Sequence, residues 1–184
     1  GKITVLTPSG MKLIDNPPLI EHFTRSVSGR DIDRLNEQGM NAYFQSLAPD
    51  RRNLLLRYRL IDWARKVVGV GSVGLACWVL FFEGNDQNDP LFLQAKEAIP
   101  SVLQPFFPNT VFATQGERVV HGQCLIQGAP DLFLGYTHTV EKEFYVRQLR
   151  DMKGGISIGG DGINPDVFPD FAKLFGWALA NAHA

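Results

Sequence analysis

Six consecutive residues, Gly69-Val70-Gly71-Ser72-Val73-Gly74, spell G-x-G-x-x-G. Glycines at this spacing leave out the Cβ atoms that would keep backbone N–H groups away from a phosphate. Two common uses of such a loop do not fit. A dinucleotide-binding turn runs straight into a helix, whereas Leu75-Ala76-Cys77-Trp78-Val79-Leu80-Phe81-Phe82 is rich in strand formers. A Walker loop requires Lys and then Ser or Thr after its last glycine, and Leu75 and Ala76 stand there. Two readings stay open: a glycine-rich hairpin lying over nucleotide phosphates, or a plain tight hairpin.

A lysine follows one hairpin later. Lys96 closes the apolar run Leu91-Phe92-Leu93-Gln94-Ala95, where a kinase-type fold holds the α- and β-phosphates. A lysine at a strand end is also common for solvation alone. Kinase-type lobes pair this lysine with a helix glutamate, and Glu117 opens the predicted helix 116–128. It is read either as that partner or as an acid complementing the helix dipole. His121 follows one turn later on the same face, while Glu97 points to the other face of the strand from Lys96. The candidate nucleotide-binding residues are therefore Gly69, Gly71, Ser72, Gly74, Lys96 and Glu117.

No catalytic residue is identified. Arg150-Asp151 lacks the asparagine that a kinase catalytic loop carries. Asp161 and Asn164 sit in a glycine loop and read as turn residues. Asp-Phe-Gly is absent, as is a serine-nucleophile elbow. His22, His138 and His183 read as surface or helix-end residues. Cys77 and Cys124 form no C-x-x-C pair, so metal and redox motifs are unsupported, and both read as buried small hydrophobes.

The elements that must position these residues follow from periodicity. Residues 1–30 are punctuated by Pro8, Gly10, Pro17, Pro18 and Gly29 and read as an extended arm with one short strand. Residues 31–47 and about 50–60 read as helices; Asp31 or Ser28 caps the first, and Pro49 separates the two. Residues 61–68, 75–83 and 91–96 form a meander, with Ile61, Trp63, Arg65 and Val67 on one strand face and Asn85 to Pro90 as a turn. Helix 116–128 follows, then short strands at 132–134 and 144–149, and a last helix at 166–183. The fold class is α+β, an antiparallel sheet with flanking helices, divided into an arm with helices (1–60) and an α+β domain (61–184).

Bulk composition restricts the partners. With a net charge of −1 over 184 residues, the chain lacks the Lys and Arg excess of a nucleic-acid or membrane-surface binder. No 18-residue apolar run is present and the first residues are not a signal peptide. A cytoplasmic protein is expected.

Four stretches carry a family resemblance. They are 65–74, Leu91 to Ala98, Gly116 to Gln123 and Phe144 to Gly154; the closing Gly176 to Ala184 adds to them. Across about residues 50–184 the chain closely resembles the uncharacterised bacterial family known as domain of unknown function 2252. That resemblance implies a relationship to protein-kinase-like and aminoglycoside-phosphotransferase-like folds. The chain would be the nucleotide lobe, resembling a kinase N-terminal lobe, with ATP and magnesium as cofactors and 144–152 beside the adenine. It also implies Gly-Asp-x-His-x-x-Asn and Asp-Phe-Asp-like segments, neither of which is in this chain, and an acid where His121 stands. The lobe would need a catalytic half from elsewhere or a second subunit. The alternative is a non-catalytic module that binds a ligand or partner.

Overall fold

The computed structural model describes residues 3–8, 10–22, 29–67, 74–86, 88–107, 111–149 and 167–183. The chain divides into two units. Gly1–Val120 with Asp131–Leu149 form one, and His121–Pro130 with Arg150–Ala184 form the other.

The first unit begins with a hairpin, β1 (Thr4–Thr7) against β2 (Gly10–Leu13). Gly10 has φ +115°, a value only glycine adopts without strain, and the Thr7 hydroxyl donates to its carbonyl at 2.7 Å. A two-residue strand, β3 (Ile20–Glu21), follows. Helices α1 (Gly29–Ser46) and α2 (Pro49–Leu55) come next, and Pro49 starts α2, where its missing N–H costs nothing. The meander is β4 (Arg59–Lys66), β5 (Cys77–Glu83) and β6 (Pro90–Glu97). Gly84 N–H to Asp89 O (2.9 Å) and Asn88 N–H to Asp86 Oδ1 (2.7 Å) close its second turn. Helix α3 (Gln115–Ile126), which belongs to this unit as far as Val120, is followed by β7 (Gly135–His138) and β8 (Glu143–Gln148).

These strands make one six-stranded antiparallel sheet in the order β3-β4-β5-β6-β8-β7. The last strand, β8, inserts between β6 and β7.

Strand alternation divides the core. Face A carries Phe82, Leu91, Leu93, Ala95, Phe144 and Val146, covered by Tyr43 of α1, Leu55 of α2 and Leu47 between them. Tyr43 is 1% exposed, and its hydroxyl donates to Phe133 O at 2.6 Å; burial raises its pKa. Leu93 is fully buried, so Leu93→Ala costs about 2–5 kcal/mol. Face B carries Ala64, Val79 and Phe81 with Leu13 and Ile20, flanked by Phe92 and Leu149. The Phe81 and Phe92 rings stack at 5.0 Å.

Several expectations are corrected. The extended arm contains a hairpin and an edge strand, because its apolar residues Leu13 and Ile20 bury on face B. Asp31 lies inside α1 rather than capping it, and Ser28 lies outside the described residues. Helix α2 stops at Leu55, and β4 starts at Arg59. The strand expected at 132–134 begins instead at Gly135; Asp131 holds the preceding turn by accepting Phe133 N–H at 2.8 Å and bonds β8 through Gln148 N–H at 2.9 Å. Ile61 and Trp63 do not share a face. The register shifts between Leu60 and Asp62, and this bulge sends Ile61 to face B, while Trp63 meets Trp78 edge-on at 5.2 Å.

The second unit holds α4 (Phe168–His183). Its apolar residues recur at helical spacing, yet none is buried: Trp177 is 67% exposed and Phe175 60%. Cys124 is exposed too, correcting its reading as a buried hydrophobe, whereas Cys77 is buried.

Candidate functional site

The candidate site lies on face B, at the end of the sheet where β4 finishes and β5 begins. Cross-strand register defines it. Cys77 pairs with Lys96, Lys96 with Tyr145, and Tyr145 with Tyr136. Directly paired residues share a face, so these four side chains form one row across β5, β6, β8 and β7. Lys66 stands one residue beyond the Arg65–Trp78 pair, level with Cys77, and extends the row onto β4. The next row on this face is Val79, Gln94 and Arg147.

The row is polar around a buried centre. Cys77 is 2% exposed, and the Gln94 side-chain amide, itself buried, donates to its sulfur at 3.2 Å. Burial pushes the Cys77 thiol pKa up; the Gln94 bond and the charges of Lys96, Lys66 and Arg147 oppose that and do not prevail. Burial also raises the pKa of Tyr145.

Three cations, Lys66, Lys96 and Arg147, face this thiol without acid partners among the described residues. Ion pairs among the described residues join His22 to Asp15 and Asp62, Arg59 to Glu83, Lys142 to Glu97 and Lys173 to Asp170. Lys66, Lys96 and Arg147 are in none of them. Arg147 Nε is buried and has no hydrogen-bond partner.

Glu97, as expected, belongs to the other face. It takes the Lys142 ammonium at 2.8 Å and Ala76 N–H at 2.7 Å. Burial acts against its charge, but these two donors outweigh it and hold its pKa low.

Glu117 occupies the first turn of α3. Gly116 brings this turn against the sheet: a Cβ there would lie 2.6 Å from Phe144 O and 2.9 Å from Tyr136 Cβ. Glu117 Oε2 accepts Ala113 N–H at 2.8 Å, and Thr114 Oγ1 accepts Glu117 N–H at 3.1 Å. This is a capping arrangement in which both ends of the turn are satisfied. Burial first, and then the Glu117 charge, raise the pKa of Tyr136. Glu117 thus lies over the Tyr136 end of the Lys96 row and makes no ion pair with Lys96. Three candidates, Gly74, Lys96 and Glu117, are described; Gly74 has φ +85°, which suits a tight connection into β5. Gly69, Gly71 and Ser72 lie outside the described residues.

The sequence reading missed Lys66, Arg147 and His22. Lys66 and Arg147 had one available signal, a cation near the end of a strand neighbouring Lys96. His22 had none, because its partners are distant in sequence: Nδ1 meets Asp15 Oδ1 at 2.9 Å and Nε2 meets Asp62 Oδ2 at 3.1 Å. Asp62 also accepts Leu13 N–H at 2.9 Å, tying the hairpin to β4. An open apolar groove of about 260 Å³ lies elsewhere, between Leu103, Phe107, Val111 and Arg118. Neither Lys96 nor Glu117 lines it, so the chemistry and the groove are separate.

Fold and site together define a mixed α+β protein built on an antiparallel sheet, with a cationic row at one end of it. The family model for "Uncharacterized protein conserved in bacteria (DUF2252)" matches residues 1–184, and the chain belongs to that family. No curated protein and no solved structure matches the chain. Among the described residues, no helix is long and apolar enough to cross a membrane.

Proposed function

We propose that this chain is the ATP-binding lobe of a kinase-like phosphotransferase, catalytically incomplete by itself. One observation carries the reading: Lys96, near the end of the third meander strand, stands directly opposite Cys77 at the start of β5, and no ion pair among the described residues includes it. The order of parts supports it further. A glycine loop between two antiparallel strands, then a strand lysine, then a helix bearing a glutamate is the order in which protein kinases set out their phosphate-binding parts.

In this reading Gly69, Gly71, Ser72 and Gly74 cover the phosphates and Lys96 neutralises them. Glu117 orients Lys96 once it leaves the Ala113 N–H. Bound ATP supplies the phosphoryl group to be transferred. The residues present suit its phosphates, and carboxylates for magnesium come from another part of a longer chain or from a second subunit. Such a protein belongs in the cytoplasm.

A second reading is a non-catalytic module that docks a partner or small ligand. The exposed apolar residues of α4, Trp177 and Phe175 among them, favour it.

Thermal denaturation with and without millimolar Mg-ATP separates the two. At 100 times its dissociation constant a ligand stabilises by about 2.7 kcal/mol, which raises the melting temperature by several degrees for a chain this size. A rise in the wild type that vanishes in Lys96→Ala is the expected result. No rise in the wild type would discard the ATP reading and leave the docking module.

A further inference from the structure

Lys66, Lys96 and Arg147 form an unmatched cationic group, and none has a carboxylate within ion-pair distance among the described residues. Charges of one sign placed together destabilise a fold through mutual repulsion. Arg147 adds a second cost, since its buried Nε lacks any acceptor, and a buried donor left unsatisfied is expensive. Other cations of this chain, such as Lys142 and Arg59, sit beside acids. An anion on face B would relieve both costs at once.

The geometry points to an oligophosphate cradle in which Lys66 and Arg147 join Lys96 in holding a chain of two or more linked phosphate groups. This deepens the nucleotide reading of the same face and rests on its assignment of Lys96 as a phosphate ligand. The spread of the three cations selects the ligand class. Lys66 and Lys96 stand on strands two apart, roughly 10 Å between backbones. Arg147 is two residues from Tyr145, the direct partner of Lys96, a diagonal neighbour at about 7–8 Å. Negative charge distributed along a linear group matches this spacing better than a single compact ion. Lys66 and Lys96 supply point charges, and the Arg147 guanidinium supplies a planar fork able to bind two phosphate oxygens. Between them, the buried Cys77 and Gln94 form an uncharged floor.

The test is titration calorimetry of the whole chain with tripolyphosphate, ATP and orthophosphate, on wild type, Lys66→Gln, Arg147→Gln and Lys96→Ala. The cradle predicts that tripolyphosphate binds more tightly than orthophosphate and competes with ATP. Each variant should weaken tripolyphosphate binding at least about tenfold, the loss of one charge-assisted hydrogen bond. The unliganded melting temperature should hold or rise as repulsion falls. If Arg147→Gln fails to fold, Arg147→Lys replaces it, and acylation of the wild-type lysines provides a second readout in which tripolyphosphate shields Lys66 and Lys96 together. Tripolyphosphate binding that Lys66→Gln and Arg147→Gln both weaken, with ATP binding no more tightly, keeps the cradle and discards the nucleotide reading. ATP binding that depends on Lys96 but not on Lys66 or Arg147 does the reverse. Absence of tripolyphosphate binding to the wild type, or acylation of Lys66 at an undiminished rate in its presence, overturns the cradle.

Discussion

Cys77 on β5 and Lys96 on β6 stand directly opposite each other in the antiparallel ladder, so a buried thiol lies beside an ammonium with no acid partner among the described residues. Thiolate is the reactive form of cysteine, and burial, the dominant influence, raises the Cys77 pKa despite the neighbouring cations.

Thiol reactivity checks this arrangement. Cys124 is exposed and Cys77 buried, so a disulfide reagent should label one thiol rapidly and the other only as the protein opens. Cys124→Ser should abolish the rapid phase. A rapid phase that survives in Cys124→Ser would mean that the Cys77–Lys96 row is not packed as described.

Two glycines of α3 should respond oppositely to alanine. At Gly116 a Cβ meets Phe144 O and Tyr136 Cβ inside 3 Å, and both are held by the sheet. Gly116→Ala should cost about 1–3 kcal/mol by overpacking. At Gly122 no atom of the described residues beyond its own helix lies within 4 Å, so Gly122→Ala should gain up to about 1 kcal/mol from helix propensity. Urea denaturation of the two variants measures both signs.

His22 makes stability depend on pH. Burial opposes its charging, but hydrogen bonds to Asp15 and Asp62 outweigh burial and raise its pKa above the ordinary 6.5. Protonated His22 therefore stabilises the fold fully below pH 6.5, and this contribution is lost as pH rises through the raised value. His22→Gln should lower the melting temperature more at about pH 5.5 than at about pH 8.5. A gap that widens toward high pH would overturn the assignment.

Glu117 has a measurable structural role whatever the chain binds. Its carboxylate satisfies Ala113 N–H at the start of α3, so Glu117→Ala should cost about 0.5–2 kcal/mol. Glu117→Gln keeps an oxygen acceptor and should cost less. If Glu117→Ala leaves stability unchanged yet abolishes a Mg-ATP shift, the carboxylate serves Lys96 and not the helix cap.

The meander was legible in the sequence because its signals are local. Asn85 to Pro90 is turn chemistry, and the flanking runs are rich in Val, Phe and Trp, which favour pleated, half-buried surfaces. Helices α1, α3 and α4 were legible from apolar spacing for the same reason. The β1–β2 hairpin was not, since four-residue strands set among Pro8, Gly10 and Pro17 carry little propensity, and they form because Leu13 and Ile20 bury on face B. The bulge at Ile61 was equally hidden, because it exists only relative to the partner strand. The site divides along the same line. The G-x-G-x-x-G run, Lys96 and Glu117 could be picked out by type and spacing, and Glu97 could be assigned to the far face from strand alternation alone. That Lys66 and Arg147 share a face with Lys96, and that Glu117 caps its own helix instead of pairing with Lys96, depended on register and helix docking. Long-range pairing sets both, and no local run of residues encodes it.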